Sequence, residues 1–558
     1  MQPRPLPTLL LLLCVFFFAI GCSSSKKITS KDIQSAQKLF GVEFSEKEIN
    51  TMTNYLNDNR SGYDSMRAFK LDYGVAPAMQ FNPFPDSFQF KTRSTKTDFK
   101  IPVAVRKPST DDSIAFLSVA DLSVLIRSRQ ITSTELTKIY LARLKKYDTL
   151  QAVVTITEEL ALKQAAQADA EIAAGRYRGP LHGIPYGIKD LFAVPGYKTT
   201  WGAEPFKNQT LNETAVIVKK LDEAGAVLVA KLTSGALARG DVWFGGKTKN
   251  PWDLSQGASG SSAGSASATA AGLVAFSIGT ETLGSIVAPS SRCGATGLRP
   301  TYGSVSRTGG MTLSWSMDKA GPICRTAQDC AIVFSVIKGS EGKWNLDRAL
   351  VDYDWGFSPP ENLKGYKIGY LKKFFDKDTT RTHKPDSLSL ETFKKLGAEL
   401  VEVQFPKDVP YDVFDIILRA EAGAFFDTLV LTHRDRELGE QDASSRANSL
   451  RQSRFIPAVE YMQANRHRKV LIEKFYDAIK DFDFIISPSN GESMNLATNL
   501  TGNPAISLPT GFDKKGRPTS ITLLGNLYDE GTMLEAAYLF QQATEFEERR
   551  PAMFVSKK

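Results

Sequence analysis

The chain has 558 residues, 42% hydrophobic and 23% charged; this is neither a low-complexity nor a disulfide-scaffold composition, and its length allows a large buried core. Its 69 Lys plus Arg exceed 61 Asp plus Glu by a formal +8, but they are scattered without a long basic run, which argues against nucleic acid as a partner. No heptad, solenoid or collagen-like period runs through it.

The first stretch, "MQPRPLPTLLLLLCVFFFAIGCSSSKK", carries Arg4 and then an apolar run from Leu9 to Ile20. The run is shorter than the ~20 residues that span a bilayer, so residues 1–21 read as a cleaved signal peptide. Ala19-Ile20-Gly21-Cys22 resembles the lipobox of bacterial lipoproteins. The resemblance implies that Cys22 becomes the acylated first residue of a periplasmic lipoprotein tethered to a membrane of the cell envelope. Several acyl chains would hold the tether firmly where one binds only marginally. Ser23 to Lys27 reads as a short flexible spacer. The plain alternative is a secretion signal with a coincidental cysteine.

Residues 22–115 read as tether and accessory region. "FSEKEINTMTNYLNDN" opens with a Ser45–Glu48 capping box and spaces Ile49, Met52 and Leu56 on one helix face. "GVAPAMQFNPFPDSF" is Pro-rich and extended. Thr132 and Glu135 form a second capping box before the stripe Leu136, Ile139, Tyr140, Arg143 and Leu144. "ELALKQAAQADAEIAAG" predicts an Ala-rich helix stopped at Gly175. Short apolar runs follow ("AVLVAKL", "GLVAFSIG", "YKIGYL", "FDFIISPS") with helical stretches between them. The alternation predicts an α/β fold, one large domain over 116–545 with helices over a central sheet, and a tail at 546–558. Of five cysteines, Cys293, Cys324 and Cys330 remain after Cys14 and Cys22, which is no disulfide framework. Cys324 and Cys330 could pair in an oxidising periplasm, but "ICRTAQDCAIVF" turns helical at about Ala327, so unpaired packing residues are the expectation. No Cys/His spacing suggests a metal, and no cofactor is implied.

Three segments carry chemistry: "GPLHGIPYGIKDLF" with Lys189, "GASGSSAGSASATAAG" from Gly257 to Gly272, and "TETLGSIVAPSSRCGATGLRPTYG" with Ser285. The second is no linker, because it runs on into a small-residue helix and a strand. It is no phosphate loop either, because no lysine follows its last glycine. Gly260-Ser261-Ser262-Ala263-Gly264 fits G-x-S-x-G, but that elbow needs a preceding strand and a histidine base. "NPWDLSQGAS" does not read as a strand, and His383, His433 and His467 sit in polar surroundings. A serine hydroxyl needs a base, and a lysine serves only if burial or cationic neighbours depress its pKa. Lys189 follows the apolar "PYGI" and fits that requirement; the plainer reading is a surface lysine paired with Asp190.

"SGSSAGS" and "GTETLGS", with 24 positions from Ser261 to Ser285, resemble the core of the amidase signature family. "KNPWD", "CGATGLRPTYGSVSRTG", "SMDKAGPICRTAQD" and "NLTGNPAISLPTGF" extend the likeness over about residues 116–545. The resemblance implies a mixed sheet covered by helices on both faces and a Ser–cis-Ser–Lys unit. In it Lys189 is the base, Ser261 the bridging cis-serine, Ser262 its supporting neighbour and Ser285 the nucleophile. Backbone amides of Thr282, Leu283, Gly284 and Ser285 would form the oxyanion hole. The implied reaction is hydrolysis of a small-molecule or peptide amide; the oligomeric state is left open.

Departures bear on substrate choice. Leu283 replaces the usual glycine, Glu281 the usual aspartate and Val287 the usual arginine or lysine, while Arg292 stands where an aromatic is common, which allows a compensating swap. "KLTSGALARGD" lacks the Asn and Glu of the T-N-x-x-E pattern. Two other readings stand beside the amidohydrolase: an A-type component of an amidotransferase, which an export signal opposes, and a silenced amidase-fold binding lipoprotein, which the intact lysine and serines oppose.

Overall fold

The computed structural model describes residues 27–69, 73, 75, 77–91, 96–342, 347–375, 383–411, 414–488 and 492–555; Cys22 and the signal-like segment lie outside them. The chain divides into two compact units, Met1–Asp72 and Tyr73–Lys558. In the smaller, helices α1 (Ser30–Phe40) and α2 (Glu46–Ala68) form a hairpin. The expected Ser45–Glu48 capping box opens α2, and Asn57 joins the hairpin to the main chain of Ile28. No helix among the described residues is long and apolar enough to cross a membrane.

The larger unit is built on an eleven-stranded sheet. In chain order its strands are β1 (Val153–Ile156), β2 (Pro185–Lys189), β3 (Val227–Leu232), β4 (Phe276–Glu281), β5 (Thr296–Arg299), β6 (Lys319–Cys324), β7 (Lys367–Tyr370), β8 (Glu399–Glu402), β9 (Phe484–Pro488), β10 (Ala505–Phe512) and β11 (Pro518–Gly525). Across the sheet they run β1-β3-β2-β4-β6-β5-β10-β11-β9-β7-β8. The sheet is mixed: β2 is parallel to β3 and β4, and β7 to β8 and β9, while β6 is antiparallel to β4 and β5. All four apolar runs singled out in the sequence supply strands, namely β3, β4, β7 and β9.

The helices that matter to the site are α3 (Ser133–Lys146), α4 (Glu158–Ala173), α5 (Val216–Glu223), α6 (Ala263–Ala270), α7 (Val287–Cys293), α8 (Ala327–Ile337), α9 (Asp415–Phe425), α10 (Ala458–Ile479), α11 (Glu492–Thr501) and α12 (Glu530–Thr544). Successive strand residues point to opposite faces, and here both faces are buried. Phe484 and Ile486 of β9, Ile506 and Leu508 of β10, and Ile521 and Leu523 of β11 join the largest core with Phe334 of α8 and Phe540 of α12. Ile485, Ala505 and Leu524, from the alternate positions, pack with Ile417 of α9, Phe475 of α10 and Leu500 of α11. Double-sided burial explains why these strands read as continuous apolar runs rather than alternating ones.

The described residues between 73 and 115, assigned to the accessory region on sequence, fall in the larger unit. Tyr73 rests on Trp201 and Phe425, and Phe81 on Tyr302 and the Arg468 guanidinium, 3.5 Å from the ring centre. The C-terminal residues are tied in by Arg143 of α3. Its guanidinium donates to the carbonyls of Gly272 (2.7 Å), Ala271 (2.9 Å) and Phe554 (3.0 Å) and pairs with Asp112. Of the predicted α3 stripe, Leu136, Tyr140, Arg143 and Leu144 are buried and Ile139 half-buried. Arg143→Ala removes three carbonyl partners and an ion pair, and is expected to lower unfolding stability by roughly 3 kcal/mol, read as a lower urea midpoint.

Candidate active site

Lys189 is the last residue of β2, where the parallel strands β3, β2 and β4 end together. Its side chain is fully buried. The amine lies 2.7 Å from Ser261 Oγ, 2.9 Å from Thr280 Oγ1 and 3.1 Å from Ser262 Oγ. A pocket of hydroxyls solvates an amine without fixing its charge, since each hydroxyl can donate or accept. Burial drives the Lys189 pKa down to about 7, against the opposing fields of Asp318 and Glu281. The surface pairing with Asp190 is not formed: Asp190 is buried and meets Lys231 at 2.8 Å, with Thr200 as a second partner.

Ser261 and Ser262 precede α6 and bring two hydroxyls to that amine. The Gly260–Ser261 peptide is cis, as the sequence resemblance implied. Gly260 is required here by space, because a Cβ would lie 1.8 Å from the Gly240 carbonyl oxygen. Ser262 Oγ donates to the Thr280 carbonyl (3.0 Å) and accepts from the Thr280 amide (3.1 Å) as well as from Lys189. That leaves Ser262 locked as a support. Ser261 Oγ accepts from Lys189, and among the described residues its own proton has no acceptor.

Ser285 stands on the turn between β4 and α7. It is 9% exposed, where Ser261 is 1%. The Ser262 amide donates to the Ser285 carbonyl at 3.1 Å, so the two serine segments are pinned through the main chain. The Ser285 hydroxyl itself makes no hydrogen bond with a described residue, and the expected Ser261–Ser285 link is open in this structure. Among the described residues, the amides of Thr282, Leu283, Gly284 and Ser285 donate to no protein acceptor. The next two, Ile286 (2.8 Å) and Val287 (3.0 Å), are taken by Glu281 Oε2. Four consecutive free amides at a serine form a place where developing negative charge can settle. Gly284 has φ +87°, and a Cβ there would lie 2.4 Å from Asn495 Nδ2, so the turn needs glycine twice over.

A profile of the family described as Amidase matches residues 135–534. The chain belongs to the amidase signature family. Among its relatives, the A subunit of glutamyl-tRNA(Gln) amidotransferase from Dechloromonas aromatica is 33% identical over 78% of this chain and 98% of its own. The counterpart from Carboxydothermus hydrogenoformans is also 33% identical, over 78% and 99%. Among solved structures, the peptide amidase of Stenotrophomonas maltophilia superposes with a TM-score of 0.69 at 28% identity, over 79% of this chain and 99% of that one. An amidase family protein of Bacillus anthracis gives 0.70 at 25% identity, over 79% and 94%.

The departures from the family pattern have physical outcomes here. Leu283 is not among the residues with positive φ, and its side chain is 36% exposed beside the free amides. Arg292 is exposed at the end of α7 and does not answer the missing cation at Val287. The cation comes instead from Arg299 of β5, whose Nη1 lies 2.6 Å from Glu281 Oε1, with Asn499 Nδ2 on the same oxygen at 2.8 Å. Arg299, Thr280 and Asp318 were not singled out in the sequence. Each stands within or beside a segment that matches the family ("GLRP", "GTETLGS", "SMDKAG"), but their roles depend on strand register.

"DLSQG" is in fact a strand, Asp253–Gly257, paired with Lys249–Asn250, because the ribbon is stabilised by pairing its residues do not advertise. The histidine condition still fails at His433 and His467, which are exposed. Cys293, Cys324 and Cys330 are free and buried, as expected.

Burial acts to raise the Glu281 pKa, but Arg299, the Val287 amide and Asn499 hold it at about 2. A folded pKa below the ordinary 4.5 gives stability that is complete above the ordinary value and lost as pH falls toward about 2. Glu281→Gln leaves Arg299 buried without its counter-charge, at a cost of about 3–5 kcal/mol near neutral pH. The difference in urea midpoint between wild type and variant should hold steady above about pH 5 and shrink as the medium is acidified below the ordinary carboxyl value.

Proposed function

We propose that this protein is an amidohydrolase that cleaves a carboxylic amide through an acyl-enzyme on Ser285. The observation that carries the reading is the Lys189 amine, buried, 2.7 Å from Ser261 Oγ and held at about 7. Neutral Lys189 takes the Ser261 proton as Ser261 takes that of Ser285. Ser285 Oγ bonds to the carbonyl carbon, and the amides of the Thr282–Ser285 turn receive the oxyanion. The proton returns along the relay to the leaving nitrogen as the C–N bond breaks and the amine departs. Water then attacks the ester by the same relay and releases the acid. The open Ser261–Ser285 contact closes on substrate binding in this scheme, since catalytic hydrogen bonds often tighten only in the complex.

A second reading, one component of an amidotransferase, is supported by the 33% identity to proteins of that name. The signal-like N-terminus opposes it, and we infer from that segment a lipid tether at Cys22 in the cell envelope. The readings separate on the isolated chain. An amidohydrolase releases ammonia or amine from some members of an amide panel without a partner, whereas a component of a larger amidotransferase does not. Cys22→Ser should move the protein from the membrane fraction to the soluble fraction.

Ser285→Ala and Lys189→Ala should each lower kcat by a factor approaching about 10⁶, as in other serine catalytic units. A fluorophosphonate should label wild type at Ser285 and leave Ser285→Ala unlabelled; a silenced binding protein would be labelled in neither form. Because the deprotonated amine is the working form, kcat/KM should rise with pH through about 7 and level off above it.

A further inference from the structure

Asp318 immediately precedes β6, and β6 runs antiparallel to β4 with Lys319 opposite Glu281. That register sets Asp318 across from Thr282, the first residue of the turn that carries Ser285. Thr282 Oγ1 donates to Asp318 Oδ1 at 2.6 Å. The other oxygen, Oδ2, accepts from the amides of Leu313 (2.7 Å) and Ser314 (3.0 Å). Asp318 is buried; burial pushes its pKa above the ordinary carboxylate value, and the Thr282 hydroxyl and the Ser314 and Leu313 amides, which donate to its ionised form, pull it back. The loop it grips is held from the far side by Glu421 of α9, which accepts from Ser314 Oγ (2.6 Å), the Ser316 amide (3.0 Å), Ser316 Oγ (2.7 Å) and Tyr461 of α10 (2.9 Å).

The charges around Lys189 are unequal in effect. Two carboxylates act on it, Asp318 and Glu281. Glu281 is neutralised by Arg299 at 2.6 Å. Asp318 forms no ion pair among the described residues; Arg307, a cation acting on it, is paired with Asp347 at 2.7 Å. Lys319 and Arg446 also feel its field from strand β6 and from the helix Arg446–Ser453. Asp318 therefore acts on the Lys189 amine with no direct ion-pair partner of its own among the described residues, whereas Glu281 has one.

We propose that Asp318 is a positioning residue for the amide hydrolysis: its carboxylate orients the Thr282–Ser285 turn through the Thr282 hydroxyl and places a fixed negative charge near the Lys189 amine. This rests on the Ser285–Ser261–Lys189 reading above. The charge works against the burial that keeps the amine neutral, so removing it lets Lys189 lose its proton at lower pH. The hydrogen bond, by contrast, affects only where the turn's amides point.

The two effects separate in pH–rate profiles of Asp318→Asn, Thr282→Val and Thr282→Ser on the full chain with an amide substrate. Asp318→Asn should lower kcat by about 10²-fold, the scale of a misplaced catalytic group, and shift the acid limb of kcat/KM to lower pH. Thr282→Val should lower kcat comparably and leave the limb in place, and Thr282→Ser should restore it. Wild-type kcat in Thr282→Val overturns the proposal even where Asp318→Asn does not fold. So does a slowed Asp318→Asn whose limb has not moved, which would mark Asp318 as structural only. Failure of the underlying reading shows up separately, as a wild-type protein that is not labelled at Ser285.

Discussion

The structure turns on one desolvated amine. Lys189 is brought to the end of a central strand, stripped of water and given hydroxyls rather than a carboxylate for company. A carboxylate in contact would hold the ammonium charged at any physiological pH; three hydroxyl oxygens and no direct ion pair let burial dominate. Asp190, next in sequence, could have been that carboxylate. Asp190 is the first residue past the end of β2 and meets Lys231 of β3 instead, so the two charges of "KD" have separate partners.

Around the amine, carboxylates serve as main-chain anchors. Glu281 holds the amides of Ile286 and Val287, Asp318 those of Leu313 and Ser314, and Glu421 that of Ser316. The pattern has a functional consequence. By taking the amides after Ser285, Glu281 defines where the free amides stop, so those from Thr282 to Ser285 remain without a protein acceptor. A run of unpaired main-chain donors at one turn is what a site awaiting an anionic partner looks like.

The extra methylene of Glu281 and the loss of a cation at Val287 read as separate departures in the sequence, yet in the fold they concern one site. The carboxylate caps the turn and finds its counter-charge in Arg299, reached across the sheet from β5. The aromatic segment from Tyr73 onward likewise belongs with the amidase unit through contacts to Trp201, Phe425 and Tyr302 that no local pattern announces.

By itself the sequence determined the α/β class, the capped helices, the apolar runs that became β3, β4, β7 and β9, and the family through motifs whose spacing is local. Those are legible because periodicity, caps and glycine-rich turns are properties of neighbouring residues. It also pointed to Lys189, Ser261 and Ser285. Only the tertiary structure decided which charges pair: that Asp190 turns to Lys231, that Arg299 rather than Arg292 answers Glu281, and that Asp318 faces Thr282. Pairing across a sheet depends on strand order and register between residues tens to hundreds of positions apart, and one residue of slip would reverse every face. The ribbon at Asp253–Gly257 was missed for the same reason, since its strand character comes from its partner and not from its own side chains.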